Sequence, residues 1–105
     1  MRYYSLEKLI NLHDGYRKVF QIDSHHLMLL QIEGQRYLIE SRCPHREYPL
    51  RSSDVQGGEL VCPQHGYRFE ISSGVLLAAS EEPCRNLHCY SLTDRGNEIG
   101  VMLDE

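Results

Sequence analysis

Cys43-Pro44-His45-Arg46-Glu47-Tyr48-Pro49-Leu50 and Gly57-Gly58-Glu59-Leu60-Val61-Cys62-Pro63-Gln64-His65-Gly66 are the two stretches on which the reading of this chain turns. Each offers one thiolate and one imidazole, Cys43 with His45 and Cys62 with His65, and sixteen residues separate His45 from Cys62. Each box falls where an apolar pair, Leu38-Ile39 or Leu60-Val61, gives way to turn-forming residues. The spacing predicts two loop tips that close on one metal centre, with apolar flanks that keep the sulfur ligands dry. A Cys₂His₂ zinc site would use the same ligands and staple the same loops. Common zinc knuckles, however, pair cysteine with cysteine at each turn, and neither box does so.

Working outward, the pattern is one of short strands broken by turn residues. Phe20 and Ile22 alternate with Gln21, and Asp23-Ser24 reads as a turn. Leu27 to Ile32 is an apolar run, Glu33-Gly34 breaks it, and Arg36 to Glu40 resumes it. Tyr67, Phe69 and Ile71 alternate with Arg68 and Glu70 before Ser72-Ser73-Gly74. Leu87 to Leu92 and Glu98 to Leu103 form a last pair around Asp94-Arg95-Gly96-Asn97. Near the start, Ser5 is expected to cap a short helical turn carrying Leu6, Leu9 and Ile10, with Tyr3 and Tyr4 as packing residues. The expected fold is mainly β, an antiparallel β-sandwich or small barrel, built as one domain over residues 1–105.

The two boxes and their surroundings resemble the Rieske family. Gly57 to Gly66 and Cys43 to Arg46 with Pro49-Leu50 look like that family's two cluster-binding loops. Phe69 and Gly74 stand where the family has an aromatic residue and a hairpin glycine, and Pro83 looks like part of a third loop that shields the cluster. The resemblance implies a cluster-binding subdomain of two loops holding one [2Fe-2S] cluster per chain. It implies Cys43 and Cys62 on the buried iron and His45 and His65 on the outer one. It also implies that Gly66 lets backbone amides approach the sulfides and that Pro44 and Pro63 stiffen the loops. Two imidazoles in place of two thiolates leave the oxidised core formally neutral, and the family's centres lie hundreds of millivolts above all-cysteine clusters.

Two departures separate the chain from the high-potential members of that family. Tyr48 and Gln64 occupy the places of an extra cysteine pair that is joined there as a disulfide. Tyr67 and Phe69 stand where those members have a serine and a tyrosine whose hydroxyls bond to sulfur. Fewer donors to sulfur imply a potential near the low end of the Rieske range. The resemblance is therefore to the ferredoxins of oxygenase systems, which carry single electrons from a flavin reductase to a terminal oxygenase. The chain is expected to be a carrier and not an enzyme, because nothing after the domain supplies a mononuclear iron site. A small subunit of a nitrite-reductase-like assembly and a redox sensor are the alternatives. Glu47-Tyr48 replaces the small residues usual after the first histidine.

Composition excludes other classes. With 41% hydrophobic and 25% charged residues the chain has the balance of an ordinary globular protein. A net charge of −4 argues against nucleic acid as the main partner, while a basic docking face for a protein partner remains compatible with it. No apolar stretch is long enough to span a bilayer and the start lacks a secretion signal, so a cytoplasmic monomer is expected. Cys84 and Cys89 lie outside the boxes and are expected to be free thiols. His13, His25, His26 and His88 lack ligand spacing and are expected at the surface.

Overall fold

The computed structural model describes residues 1–104. In chain order the elements are β1 (Arg2–Lys8), a 3₁₀ turn (Leu9–Asn11), β2 (Arg17–Ile22), β3 (His25–Ile32), β4 (Gln35–Glu40) and β5 (Asp54–Gln56). There follow β6 (Glu59–Val61), β7 (Arg68–Glu70), β8 (Leu76–Ala78), β9 (Cys89–Tyr90), β10 (Leu92–Arg95) and β11 (Glu98–Leu103). They form three antiparallel sheets with strand orders β1-β11-β10, β2-β3-β4-β9 and β5-β6-β7-β8. All three sheets are open, so of the two expected forms the sandwich is the one present.

The middle sheet explains why Leu27 to Leu30 reads as a continuous apolar run. Leu27, Leu29 and Leu38 turn to one face and pack with Leu6, Ile99, Val101 and Leu103 of the three-stranded sheet. Met28, Leu30 and Ile39 turn to the other face and pack with Cys43, Leu50, Leu60, Cys62, Tyr67 and Phe69. The register sets Leu29 opposite Leu38 and Met28 opposite Ile39, so each face meets its own kind across the ladder. A strand buried on both faces loses the two-residue alternation that marks a half-exposed one. The second of these cores sits directly under the two Cys-His loops.

Four details differ from the sequence reading. Ser5 caps no helix: it lies inside β1 opposite Gly100, and the 3₁₀ turn begins only after the strand, with Lys8 at its N-terminal boundary. The expected helical turn is present only as this 3₁₀ turn, which carries Leu9 and Ile10, while Leu6 lies in β1 at the register irregularity between Ser5 and Glu7. Leu6 is buried and Leu9 packs on the first core, but Ile10 is 88% exposed and is not a core residue. The expected strand from Leu87 to Leu92 is two strands, β9 on β4 and β10 on β11, because the chain changes sheets at Ser91. His25 and His26 are half-buried in β3, while His13 and His88 are exposed.

Gly74 closes the β7–β8 hairpin. Its φ of +81° is costly for residues with a side chain, and a Cβ there would overlap the carbonyl oxygen of Leu87. That close approach lets Leu87 N donate to Gly74 O at 2.7 Å, which fixes one end of the segment that leads from β8 to β9.

Candidate metal centre

The first Cys-His loop follows β4 and the second follows β6, as the apolar flanks predict. Their backbones are folded alike. In the first, Cys43 N donates to Tyr48 O at 2.8 Å and Glu47 N donates to Cys43 O at 2.6 Å. In the second, Cys62 N donates to Tyr67 O at 2.8 Å and Gly66 N donates to Cys62 O at 3.0 Å. Four residues after each cysteine the backbone is left-handed, with φ of 55° at Glu47 and 70° at Gly66. Glycine adopts this freely, whereas a side chain there costs about 1 kcal/mol. Nothing lies within 4 Å of a Cβ built at Gly66, so the turn itself, and not crowding by the protein, asks for glycine. Glu47 carries the strain that Gly66 avoids.

The structure sets the four predicted residues as two pairs, Cys43 with Cys62 and His45 with His65. Cys43 and Cys62 are buried in the same core cluster, close enough for each thiol to feel the other. Burial pushes the Cys43 thiol up to about 12; the His45 amide pulls it down, and the adjacent Cys62 adds to the rise. Burial in an apolar pocket thus disfavours the free thiolate of Cys43 until a cation takes the place of its proton. The rings of His45 and His65 meet edge-to-face, 5.2 Å between centroids, and both are half-buried. Two buried sulfurs and two half-buried imidazoles are a donor set that suits a [2Fe-2S] group, so the residues fit the cofactor that the resemblance implies.

The sequence reading missed the supports around these residues. Tyr67 is fully buried and its ring stacks on His45, 4.2 Å between centroids and 14° between planes. Its hydroxyl donates to the carbonyl of Glu82 at 2.5 Å, so this position, expected to lack a donor to sulfur, spends its donor on the following loop. Glu81 in that loop places a carboxylate oxygen 3.2 Å from Nε2 of His45 and 3.4 Å from Arg46. Among the described residues, His45, His65 and Glu81 form the one group of three whose ligand atoms converge, within 4.8 Å of one another. A carboxylate at Nε2 favours the proton there and leaves Nδ1 of His45 as the lone pair open to a metal. Ser80 donates to the His65 carbonyl at 2.5 Å. The only prior signal was the acidic Glu81-Glu82 pair ahead of Pro83.

The loop from Ala79 to His88 lies against the centre, as expected for the segment around Pro83. Tyr67 holds it at Glu82, and Arg85 forms a two-pronged pair with Glu40 at 2.6 and 2.8 Å. Cys84 is half-buried against the second core, and burial raises its thiol while Arg85 lowers it. Cys89 sits with Sγ 3.7 Å from the Ile71 carbonyl, and both thiols are free.

Fold and site define a β-sandwich domain whose two cysteine–histidine loops converge over a dry core. The chain belongs to the Rieske [2Fe-2S] domain family, whose profile it matches over residues 3–91. It is similar to the ferredoxin component of the naphthalene 1,2-dioxygenase system of Pseudomonas aeruginosa, 28% identical over 78% of this chain and 77% of that one. A 37-residue stretch is 49% identical to the 4beta-methylsterol monooxygenase of Methylococcus capsulatus, covering 35% of this chain but only 10% of that protein. The ferredoxin of carbazole 1,9a-dioxygenase from Nocardioides aromaticivorans superposes with a TM-score of 0.80 at 26% identity, covering 96% of this chain and 97% of that one. None of the described helical residues forms a helix long and apolar enough to cross a membrane.

Proposed function

We propose that this chain is a Rieske-type ferredoxin, a cytoplasmic monomeric domain over residues 1–105. It holds one [2Fe-2S] cluster through Cys43, His45, Cys62 and His65 and carries single electrons from a flavin reductase to a terminal oxygenase. The observation that supports this reading is the pairing of two buried thiols with two half-buried imidazoles whose rings meet edge-to-face. When bound, the cluster supplies a one-electron couple. The protein's own residues determine how that couple is reached. Cys43 and Cys62 anchor the group away from water, and the imidazole edges offer the shortest way out of the core. Tyr67 keeps the His45 ring from turning, and Glu81 holds the proton of His45 at Nε2. Arg85 and Tyr67 together pin the neighbouring loop, which limits water entry beside the thiols.

Stopped-flow mixing tests the role. Protein reduced by a flavin reductase is mixed with an oxidised Rieske oxygenase, and the visible spectrum follows reoxidation. A carrier elutes alone from a sizing column and is reoxidised within the turnover time of the oxygenase. Copurification in fixed stoichiometry with a large partner, or no electron delivery, would contradict the shuttle.

A further inference from the structure

A broad cleft lies beside the metal centre and not over it. It has a volume of about 730 Å³ and runs from Arg17, Lys18 and Val19 on β2, past His26 and Ser41, to Arg42, Pro49 and Arg51. Arg42 directly precedes Cys43, and it bridges to Pro49 at the far end of the first Cys-His loop. One wall of the cleft is therefore the outer side of the loop that carries two of the proposed ligands.

The cleft is basic on an acidic protein. Arg17, Arg42 and Arg51 contribute guanidinium groups, no carboxylate lines it, and His26 is half-buried at its floor. Removing those three positive charges from a net −4 leaves the rest of the chain at −7. Arg17 is committed to the carbonyls of Arg51 and Ser53 at 2.9 and 2.7 Å, which tie β2 to the turn that carries Arg51. Arg42 and Arg51 are exposed, and among the described residues neither side chain has an acidic partner. Glu40, the nearest acid of β4 in sequence, is taken up by Arg85. Lys18 extends to the opposite side of its strand, where its ammonium lies over Phe20. The exposed Val19 adds an apolar contact within the cleft.

β2 is also the outermost strand of its sheet, so its outer edge has no ladder partner among the described residues. An edge strand offers backbone donors and acceptors to an extended segment. We infer that this cleft docks an acidic, extended segment of the protein that exchanges electrons with the chain, with carboxylates on Arg42 and Arg51 and backbone along β2. The inference rests on the carrier reading above and names where the partner grips. Charge complementarity selects a protein segment: the −7 body repels an extended polyanion such as nucleic acid, whereas a short acidic segment fits within the cleft. Docking here holds the partner against the flank of the first Cys-His loop and leaves the His45–His65 tip free for electron exit.

The test uses cluster-loaded protein labelled with ¹⁵N and a fluorescein-tagged octaglutamate peptide as the probe, at low salt. Binding is read by anisotropy, and its place by amide shifts. The account expects shifts at residues 17–19, 42 and 51, and at least about tenfold weaker binding in Arg42→Glu/Arg51→Glu and at high salt, where the Debye length shrinks severalfold. Arg51→Glu alone, which lies beyond Pro49 and outside both Cys-His loops, is expected to weaken binding severalfold and covers the case where the double variant loads cluster poorly. Equal binding by cluster-loaded variants, or shifts confined elsewhere, would overturn the inference. Tripolyphosphate or oligothymidylate binding the same cleft more tightly than the peptide would also overturn it, in favour of a small-anion or nucleic-acid site. The cluster's visible and paramagnetic spectra, recorded on the same samples, separate a failed cleft from a failed carrier.

Discussion

Tyr67 joins the imidazole pair to the neighbouring loop, and its two contributions separate by mutation. Tyr67→Phe keeps the ring on His45 and removes only the hydroxyl that donates to Glu82. A neutral hydrogen bond of this kind contributes about 0.5–1.5 kcal/mol net, or roughly two- to thirteenfold in the opening equilibrium of the loop. Tyr67→Leu removes the hydroxyl, the stack and most of a fully buried ring. It adds about 0.5–1.5 kcal/mol for the ring pair and on the order of 2–3 kcal/mol for the void. Hydrogen exchange read by mass spectrometry should show faster exchange at residues 80–84 in Tyr67→Phe, with unfolding and iron content near parental. Tyr67→Leu should additionally unfold at clearly lower denaturant and lose iron on standing. Unchanged loop exchange in Tyr67→Phe, or iron loss as severe as in Tyr67→Leu, would refute the division of roles between hydroxyl and ring.

Cys62→Ser should purify without iron, because an alkoxide is a harder and poorer ligand than thiolate; metal analysis and the visible spectrum check this. Gly74→Ala should destabilise by about 3 kcal/mol or more, since the Cβ meets the Leu87 carbonyl as well as an unfavourable φ. Gly96→Ala, with φ of 62° and nothing within 4 Å, should cost only about 1 kcal/mol, and urea titration of both variants measures the difference. Glu7 accepts from Asn11, Tyr16 and the Lys8 amide, bonds that lower its carboxyl from 4.5 to about 2. Its folded value is depressed, so its stabilisation is full above pH 4.5 and fades as pH falls toward 2. Thermal midpoints of parent and Glu7→Gln should therefore differ at neutral pH and converge below pH 4.5.

Much of this protein was legible because its informative residues are local. Cys-x-His and Cys-x-x-His boxes behind apolar strand ends announce their loops whatever the rest of the fold does. The β3 and β4 runs were equally plain, since Glu33-Gly34 breaks them at the hairpin, with φ of 50° and 80°. What escaped was non-local. β1 looked helical because Leu6 runs into the 3₁₀ turn that carries Leu9 and Ile10, and only pairing with β11, some ninety residues later, makes it a strand. The split at Ser91 depends on which sheet each half joins. Likewise, Glu81 at His45 and the Tyr67–Glu82 bond span 36 and 15 residues with no motif to mark them.

The central claim is that Cys43, His45, Cys62 and His65 together hold an iron–sulfur cluster that accepts one electron. Electron paramagnetic resonance of the dithionite-reduced protein, combined with iron and acid-labile sulfide analysis, tests it most directly. The account predicts iron and sulfide in equal amounts, a pair of each per chain. It predicts a signal from a single unpaired electron with hyperfine coupling to imidazole nitrogens, lost in Cys62→Ser. Stoichiometric zinc without sulfide and no signal on reduction would contradict it.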